Sequence, residues 1–129
     1  MKDLERKELV NYRLDRAKET IDEVHSHLTN GYYNTAVNRL YYACFYAVTA
    51  LLISSKIETN THSGVRQMFG LYFIKPGKIE KNLGRFFSDI YDKRQTGDYD
   101  DFIFYNEDDV NDLITPASRL ISEIENLLK

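Results

Sequence analysis

The stretch that decides the fold runs from Ala36 to Leu51 and reads AVNRLYYACFYAVTAL. Apolar residues recur in it three and four positions apart, which is the spacing of one face of an α-helix. That face carries Val37, Leu40, Cys44, Val48 and Leu51. Alanines at positions 36, 43, 47 and 50 form a second stripe, whose small side chains let another helix approach closely. The stretch therefore predicts a central helix, from about Tyr32 to Ser54, with a neighbour packed tightly against it.

The same periodicity predicts helices before and after this one. A first helix is expected over about residues 4–29, because apolar residues recur there at alternating spacings of four and three up to Asn30-Gly31. A short third helix is expected after a polar loop, capped by Thr61 or Ser63. Its apolar stripe is Val65, Met68, Phe69, Tyr72 and Phe73.

Two further helices complete the chain. The fourth follows the Pro76-Gly77 turn and is expected to end near Thr96-Gly97, where glycine breaks it. The loop 98–105 after it is expected to be packed by Phe102 and Phe104. The fifth helix is expected to begin at Asn106 as N-cap, with either a kink or a late start at Pro116.

Together these segments predict the fold class. No segment alternates as a half-buried strand would. The prediction is an all-α, antiparallel, up-and-down bundle of four main helices plus one short helix. It forms a single domain over residues 1–129.

The composition is that of a globular domain, with 43% hydrophobic and 29% charged residues. The single cysteine, Cys44, lies in an apolar run and is expected to pack there as a small hydrophobe. No apolar stretch approaches the roughly 20 residues that span a bilayer, and the charged N-terminus does not resemble a signal peptide. We therefore expect a cytoplasmic protein without a membrane segment.

Charge is unevenly distributed along the chain. Residues 61–95 carry seven basic and three acidic side chains, whereas residues 96–129 carry two basic and nine acidic ones. Two interpretations are open: an anion-binding surface beside an acidic one, or two segments that pack side by side and neutralise each other. The net charge of −3 argues against a strong non-specific nucleic-acid binder, because that affinity comes from many phosphate contacts.

Two groups of polar residues interrupt the apolar pattern. On helix 2, Arg39, Tyr42 and Tyr46 are expected to share a face. They could form a structural network or a dimer interface, or they could contact a ligand. At the end of helix 4, Arg94 lies on the apolar face with Asp98 and Tyr99 close behind it. An arginine in such a place could bind phosphate or ribose, or it could tie two helices together.

Three motifs together resemble the HEPN-domain family. They are NRLYYACFYA at 38–47, THSG at 61–64 and RQTGDY at 94–99. The resemblance covers nearly the whole chain and points to small stand-alone bacterial and archaeal members, with an R-x-Y-Y-A second helix and an R-x-x-x-D-Y fourth-helix end. It implies an antiparallel helical bundle, usually a homodimer. Many members are paired with a minimal nucleotidyltransferase as a toxin–antitoxin or related pair, and many of the toxins are metal-independent ribonucleases.

The chain departs from the ribonuclease members of that family at one position. They carry an arginine followed four to six residues later by a histidine, and the resemblance assigns the arginine to the scissile phosphate and the histidine to proton transfer. Arg94 matches the arginine, but Tyr99 stands five positions on and no histidine follows. Tyrosine is a poor base near neutral pH, since its reference pKa is about 10. Asp98 could accept a proton, but beside Arg94 it is expected to stay ionised. The departure weighs against catalysis.

His62 is the one histidine that could restore the chemistry. It precedes helix 3, and the bundle could bring it towards helix 2 or helix 4; a histidine at a helix start is more commonly a cap or a surface residue. His25 and His27 lie two apart on helix 1 and point in different directions. No other cluster has metal-ligand spacing, and no glycine-rich loop follows a strand. We expect neither a metal nor a cofactor.

Three functional hypotheses follow. The first is a dimeric module that binds nucleotide, RNA or a minimal nucleotidyltransferase-type partner. The second is a ribonuclease that uses Arg94 with His62 or Asp98 as a non-standard base. The third is a structural dimer whose arginines bond between helices. The missing histidine favours the first over the second, and the basic run from Lys75 to Arg94 favours the first over the third. The candidate site residues are Arg39, Tyr42, His62, Arg94, Asp98 and Tyr99.

Overall fold

The apolar periodicity of the sequence produces helices throughout the computed structural model, which describes all 129 residues. The helices are α1 (Asp3–Thr29), α2 (Tyr33–Ser54), α3 (His62–Phe69), α4 (Lys81–Tyr99) and α5 (Glu107–Leu128). A π-helical turn over Gly70–Ile74 continues α3. The predicted all-α bundle of four long helices and one short one is confirmed.

Helix α2 is the centre of the bundle because nearly its whole circumference is apolar. It packs against α1, α4 and α5. Both of its predicted stripes are buried, and Cys44 is fully buried as expected. By length and composition α2 could cross a membrane, contrary to the expectation that no stretch approaches that length. However, 67% of its most apolar window is buried inside the bundle, so its apolar character serves the core.

Two helix starts follow the capping rules. The Thr61 hydroxyl accepts a hydrogen bond from the Gly64 N–H at 2.9 Å, so Thr61 caps α3. Asn106 and Asp109 form a reciprocal capping box at the start of α5. Helix α5 then continues through Pro116, so the predicted late start there is wrong. The three acidic residues of its first turn and the capping box stabilise a start that lies earlier in the chain.

The sequence predicted that α4 ends near Thr96-Gly97. In the structure the helix continues through Gly97 to Tyr99. Glycine serves close packing here instead. A Cβ at position 97 would lie 2.9 Å from Cε2 of Tyr105, which packs against the helix after the following loop. The Tyr105 hydroxyl donates a hydrogen bond to the Lys93 carbonyl oxygen at 2.8 Å. Gly97 therefore lets the segment before α5 lie flat on α4.

The loop between α4 and α5 is held in place by hydrogen bonds and not by packing of its phenylalanines. Phe102 and Phe104 are 89% and 82% exposed, so the prediction that they pack the loop is wrong. Asn34 of α2 fastens the loop instead: its Nδ2 donates to the carbonyl oxygens of Gly97 and Ile103, and its Oδ1 accepts from the Tyr105 N–H. Tyr72, predicted in the apolar stripe of α3, is also exposed, because the π-helical turn shifts the register after Phe69.

Candidate anion-binding site

Arg94 lies about one and a half turns before the end of α4 and reaches across to α2. Its Nη2 donates a hydrogen bond to the Tyr42 hydroxyl at 2.9 Å. Its Cζ lies 5.2 Å from the centre of the Tyr42 ring and 5.7 Å from that of the Tyr41 ring, within cation–π range. Only 13% of the side chain is exposed. The guanidinium is therefore held in one orientation by two tyrosines.

Asp98 completes the support of Arg94 from the next turn of α4. Its Oδ2 lies 3.1 Å from Arg94 Nε and accepts a hydrogen bond from Asn38 Nδ2 at 2.9 Å. Nε is buried and makes no aligned hydrogen bond, so its contact with Asp98 is an ion pair without a directed bond. The Arg94–Asp98 pair is the one ion pair that joins a basic residue of 61–95 to an acidic residue of 96–129. Ion pairing therefore does little to neutralise the basic segment against the acidic one.

His62, the first residue of α3, packs near the same two tyrosines, with 5.7 Å and 5.9 Å between ring centres. Its Nδ1 is 2.6 Å from the Tyr41 hydroxyl, and its ring stacks on Phe45 with 4.4 Å between ring centres. Burial lowers the pKa of the imidazole below its usual 6.5, and the positive charge of Arg94 lowers it further. His62 is therefore neutral at neutral pH.

The hydrogen-bond pattern assigns the tautomer of that neutral ring. The Tyr41 side chain is 1% exposed, and burial raises its pKa well above the usual value of 10, so the hydroxyl keeps its proton. A buried hydroxyl needs an acceptor, and His62 Nδ1 is the one that Tyr41 reaches. The imidazole proton then lies on Nε2. In this state His62 presents a hydrogen-bond donor, and not a base, beside the Arg94 cluster.

Arg39 extends the cluster along α2. Its Cζ lies 5.4 Å from the centre of the Tyr42 ring, so this ring has Arg39 and Arg94 both within cation–π range. Arg39 Nε is buried without a hydrogen-bond partner. The Tyr46 ring follows at 6.1 Å from Tyr42, and Arg16 of α1 lies over it. The predicted shared face of Arg39, Tyr42 and Tyr46 is confirmed.

The structure thus brings five of the six predicted site residues together and leaves one apart. Tyr99 ends α4 with 76% of its surface exposed and makes no side-chain hydrogen bond or ring contact with the others. Tyr41 and Asn38 also belong to the site, although they stood in the 38–47 motif without being named as candidate site residues. No group of three or more His, Cys, Asp or Glu side chains is placed to hold a metal ion. The arrangement can donate hydrogen bonds to an anion from Arg94 and from His62.

Comparisons with known proteins agree with this architecture. A family model described as HEPN domain matches residues 10–127. A UPF0332 protein of Thermotoga maritima is 38% identical over 125 residues, which cover 97% of this chain and 95% of that one. A protein of Methanocaldococcus jannaschii named "putative toxin" is 32% identical and is covered over 91% of its length. The crystal structure of an archaeal HEPN homologue superposes with a TM-score of 0.75 at 19% identity, covering 93% of this chain and 98% of that one, which shows a shared fold.

Proposed function

Since this chain belongs to the HEPN domain family, we propose that it is a cytoplasmic, toxin-like protein that binds RNA through a phosphate held by Arg94 and His62. The observation that carries the proposal is that a fixed guanidinium and a neutral imidazole lie against the same two tyrosines. With Tyr41 donating to Nδ1, the imidazole proton is on Nε2. Two relatives that carry the name "putative toxin" support the toxin-like part of it.

The free donors of the cluster suit a phosphate. Arg94 Nη2 is engaged by Tyr42 and Nε faces Asp98, whereas Nη1 has only a long 3.5 Å contact with Gln95. Nη1 and His62 Nε2 are thus the donors that remain for a ligand. The Asp98 carboxylate offsets part of the arginine charge, so one site of this kind supports modest affinity, and an RNA strand adds contacts that a single phosphate lacks.

Partner proteins are part of the same proposal. We infer a homodimer that works together with a minimal nucleotidyltransferase-type protein, as the HEPN component of a toxin–antitoxin-like pair. The exposed aromatic side chains of Tyr99, Phe102 and Phe104 support an interaction surface next to the site. The neighbouring reading frame and co-purification of its product with this chain test the pairing. A neighbour unrelated to nucleotidyltransferases would count against it.

RNA binding is tested by fluorescence anisotropy with a labelled ten-nucleotide RNA of mixed sequence at low salt. Arg94→Ala and His62→Ala should each weaken binding about tenfold, because a hydrogen bond to a charged group contributes roughly 1.5–3 kcal/mol. Lys129→Ala serves as a surface control and should change affinity less than twofold. Circular dichroism establishes that each variant is folded. Equal affinities for the Arg94→Ala and Lys129→Ala variants would contradict the proposal.

A second candidate function, metal-independent cleavage of RNA, is favoured by one observation: His62 packs near Tyr41 and Tyr42, the two rings that Arg94 also contacts, although the sequence lacks the histidine after Arg94. To act as a base, His62 would have to give up the Nε2 proton and take the other tautomer, in which Nδ1–H donates to Tyr41. Incubation of RNA with concentrated protein and a chelator tests it. If the unmodified protein cleaves RNA and Arg94→Ala does not, the protein is a nuclease. If the RNA stays intact, nuclease activity is excluded.

A further inference from the structure

A cleft of about 440 Å³ opens beside His62, and its lining includes none of Arg94, Tyr41 and Tyr42. Its walls come from the N-terminal half of α1, the C-terminal half of α2 and the loop that leads into α3. His62 and Phe45, the stacked pair described above, form part of its lining. The cleft is therefore continuous with the RNA site through His62 but is built from other residues.

The lining of the cleft combines an apolar wall with unpaired cations. Phe45 and Ile53, both partly exposed, contribute to the wall, and side-chain positive charge comes from Arg6, Arg13 and Lys56 against a single carboxylate. Arg6 is paired with an aspartate of its own helix. The side chains of Arg13 and Lys56 make no ion pair and no hydrogen bond within the protein. An apolar wall next to two free cations suits a planar, apolar group that carries negative charge.

Lys56 occupies its place in the cleft at a conformational cost. It is the one non-glycine residue with a positive φ, 61°. The α2 terminus is a Schellman motif, in which the Lys56 N–H bonds to the Ile53 carbonyl oxygen at 3.0 Å and the Ile57 N–H to that of Leu52 at 2.9 Å. Glycine is the usual residue at this position because a Cβ is strained there. A strained lysine whose side chain lines a cleft points to a ligand for that side chain.

We propose that this cleft is a nucleotide subsite, in which a base lies on the wall formed by Phe45 and Ile53 and a phosphate is bound by Arg13 and Lys56. A free mononucleotide and one nucleotide of an RNA strand share this chemistry. An RNA strand that crosses His62 brings its next nucleotide into the cleft, and this form of the inference rests on the proposed function. Binding of a free nucleotide does not rest on it.

The test uses two substitutions in the cleft and one outside it. Lys56→Gly relieves the positive φ, so it should raise Tm while weakening binding, a combination that general damage to the fold does not produce. Arg13→Ala removes the second cation. Arg85→Ala is the control, since Arg85 is exposed on α4 and lines neither the cleft nor the Arg94 cluster. The probes are 5′-AMP and 5′-UMP by titration calorimetry and the labelled ten-nucleotide RNA by anisotropy.

We expect both cleft variants to weaken RNA binding about threefold or more and to lower the slope of log K against log salt by about 0.7, the value for one phosphate contact on a single strand. If the same variants also lose mononucleotide binding, the cleft binds free nucleotides. If they lose only RNA binding, the cleft binds one nucleotide of a strand. If the cleft variants lose binding while Arg94→Ala binds as tightly as the unmodified protein, the cleft subsite is supported and the Arg94 proposal is overturned. Unchanged binding in the cleft variants, an equal loss in Arg85→Ala, or no binding by the unmodified protein overturns the subsite.

Discussion

Burial sets the protonation of single residues in this protein, and His62 is the clearest case. Its pKa is lowered in the folded chain, first by burial and then by Arg94, whereas the unfolded chain titrates near 6.5. Below that value the unfolded state binds the proton more readily than the folded state. The contribution of a neutral His62 to stability is therefore complete above about pH 6.5 and is lost as the pH falls towards the folded pKa.

The lowered pKa of His62 predicts how the stability of the protein to urea changes with pH. Between pH 7.5 and pH 5.5 the unmodified protein should lose more stability than the His62→Gln variant, which has no proton to gain at that position. Urea midpoints measured at both pH values for both proteins provide the comparison. Parallel losses in the two proteins would mean that His62 is not held neutral by the fold.

Cys44 offers a second test at the same scale. Its side chain is fully buried in α2, and burial raises the pKa of the thiol well above its usual value. We expect a disulfide reagent to react with the native protein only as fast as the bundle unfolds, and to react at once in concentrated urea. Rapid labelling of the native protein would show that α2 opens locally.

Single residues also show what the sequence could and could not reveal about the site. Arg94 was recognisable because a charge on an apolar helix face needs partners. The contact between Tyr41 and His62 was not, because the two residues are 21 positions apart and meet only through the way α3 lies on α2. The role of Asn34 was hidden for the same reason, since its bonds reach 63 to 71 positions along the chain.

At the scale of elements, the meeting of α4 with the segment before α5 predicts a matched pair of glycine variants. Gly97→Ala should destabilise the protein by about 1–3 kcal/mol, because its Cβ would press on the Tyr105 ring at 2.9 Å. Gly70→Ala should stabilise it by roughly 0.5–1 kcal/mol, since open space surrounds that position and its backbone is helical. Thermal melts of both variants test this prediction. Similar Tm values for the two would show that the Tyr105 ring moves aside with no loss of stability.

Helices were predictable here where periodicity or capping dictated them. The bounds of α1 and α2 follow from long apolar repeats, and the start of α5 follows from Asn106. The errors fell where a local preference competed with packing. Gly97 lowers helix propensity, yet the contact with Tyr105 keeps it helical. Pro116 lies inside α5, where burial on both sides of it outweighs the lost hydrogen bond.

For the whole molecule, the exposed aromatic residues predict an association. Tyr99, Phe102 and Phe104 are between 76% and 89% exposed in one short segment. We expect the unmodified protein to form a dimer in solution, and the double variant Phe102→Ser, Phe104→Ser to weaken self-association or partner binding without lowering Tm, because these side chains add little to the core. Light scattering after gel filtration measures the mass. A monomer that is unaffected by the double substitution would remove the support for this surface.

The site described above is shared by three helices, since Arg94 comes from α4, Tyr41 and Tyr42 from α2, and His62 from α3. Its parts therefore leave the ribosome at different times, and Arg94 and Asp98 of α4 are the last of them to emerge. A nascent chain has no complete site until α4 has been synthesised and has folded back onto α2. On the proposed function, the chain therefore cannot bind RNA at this site until synthesis has passed the end of α4.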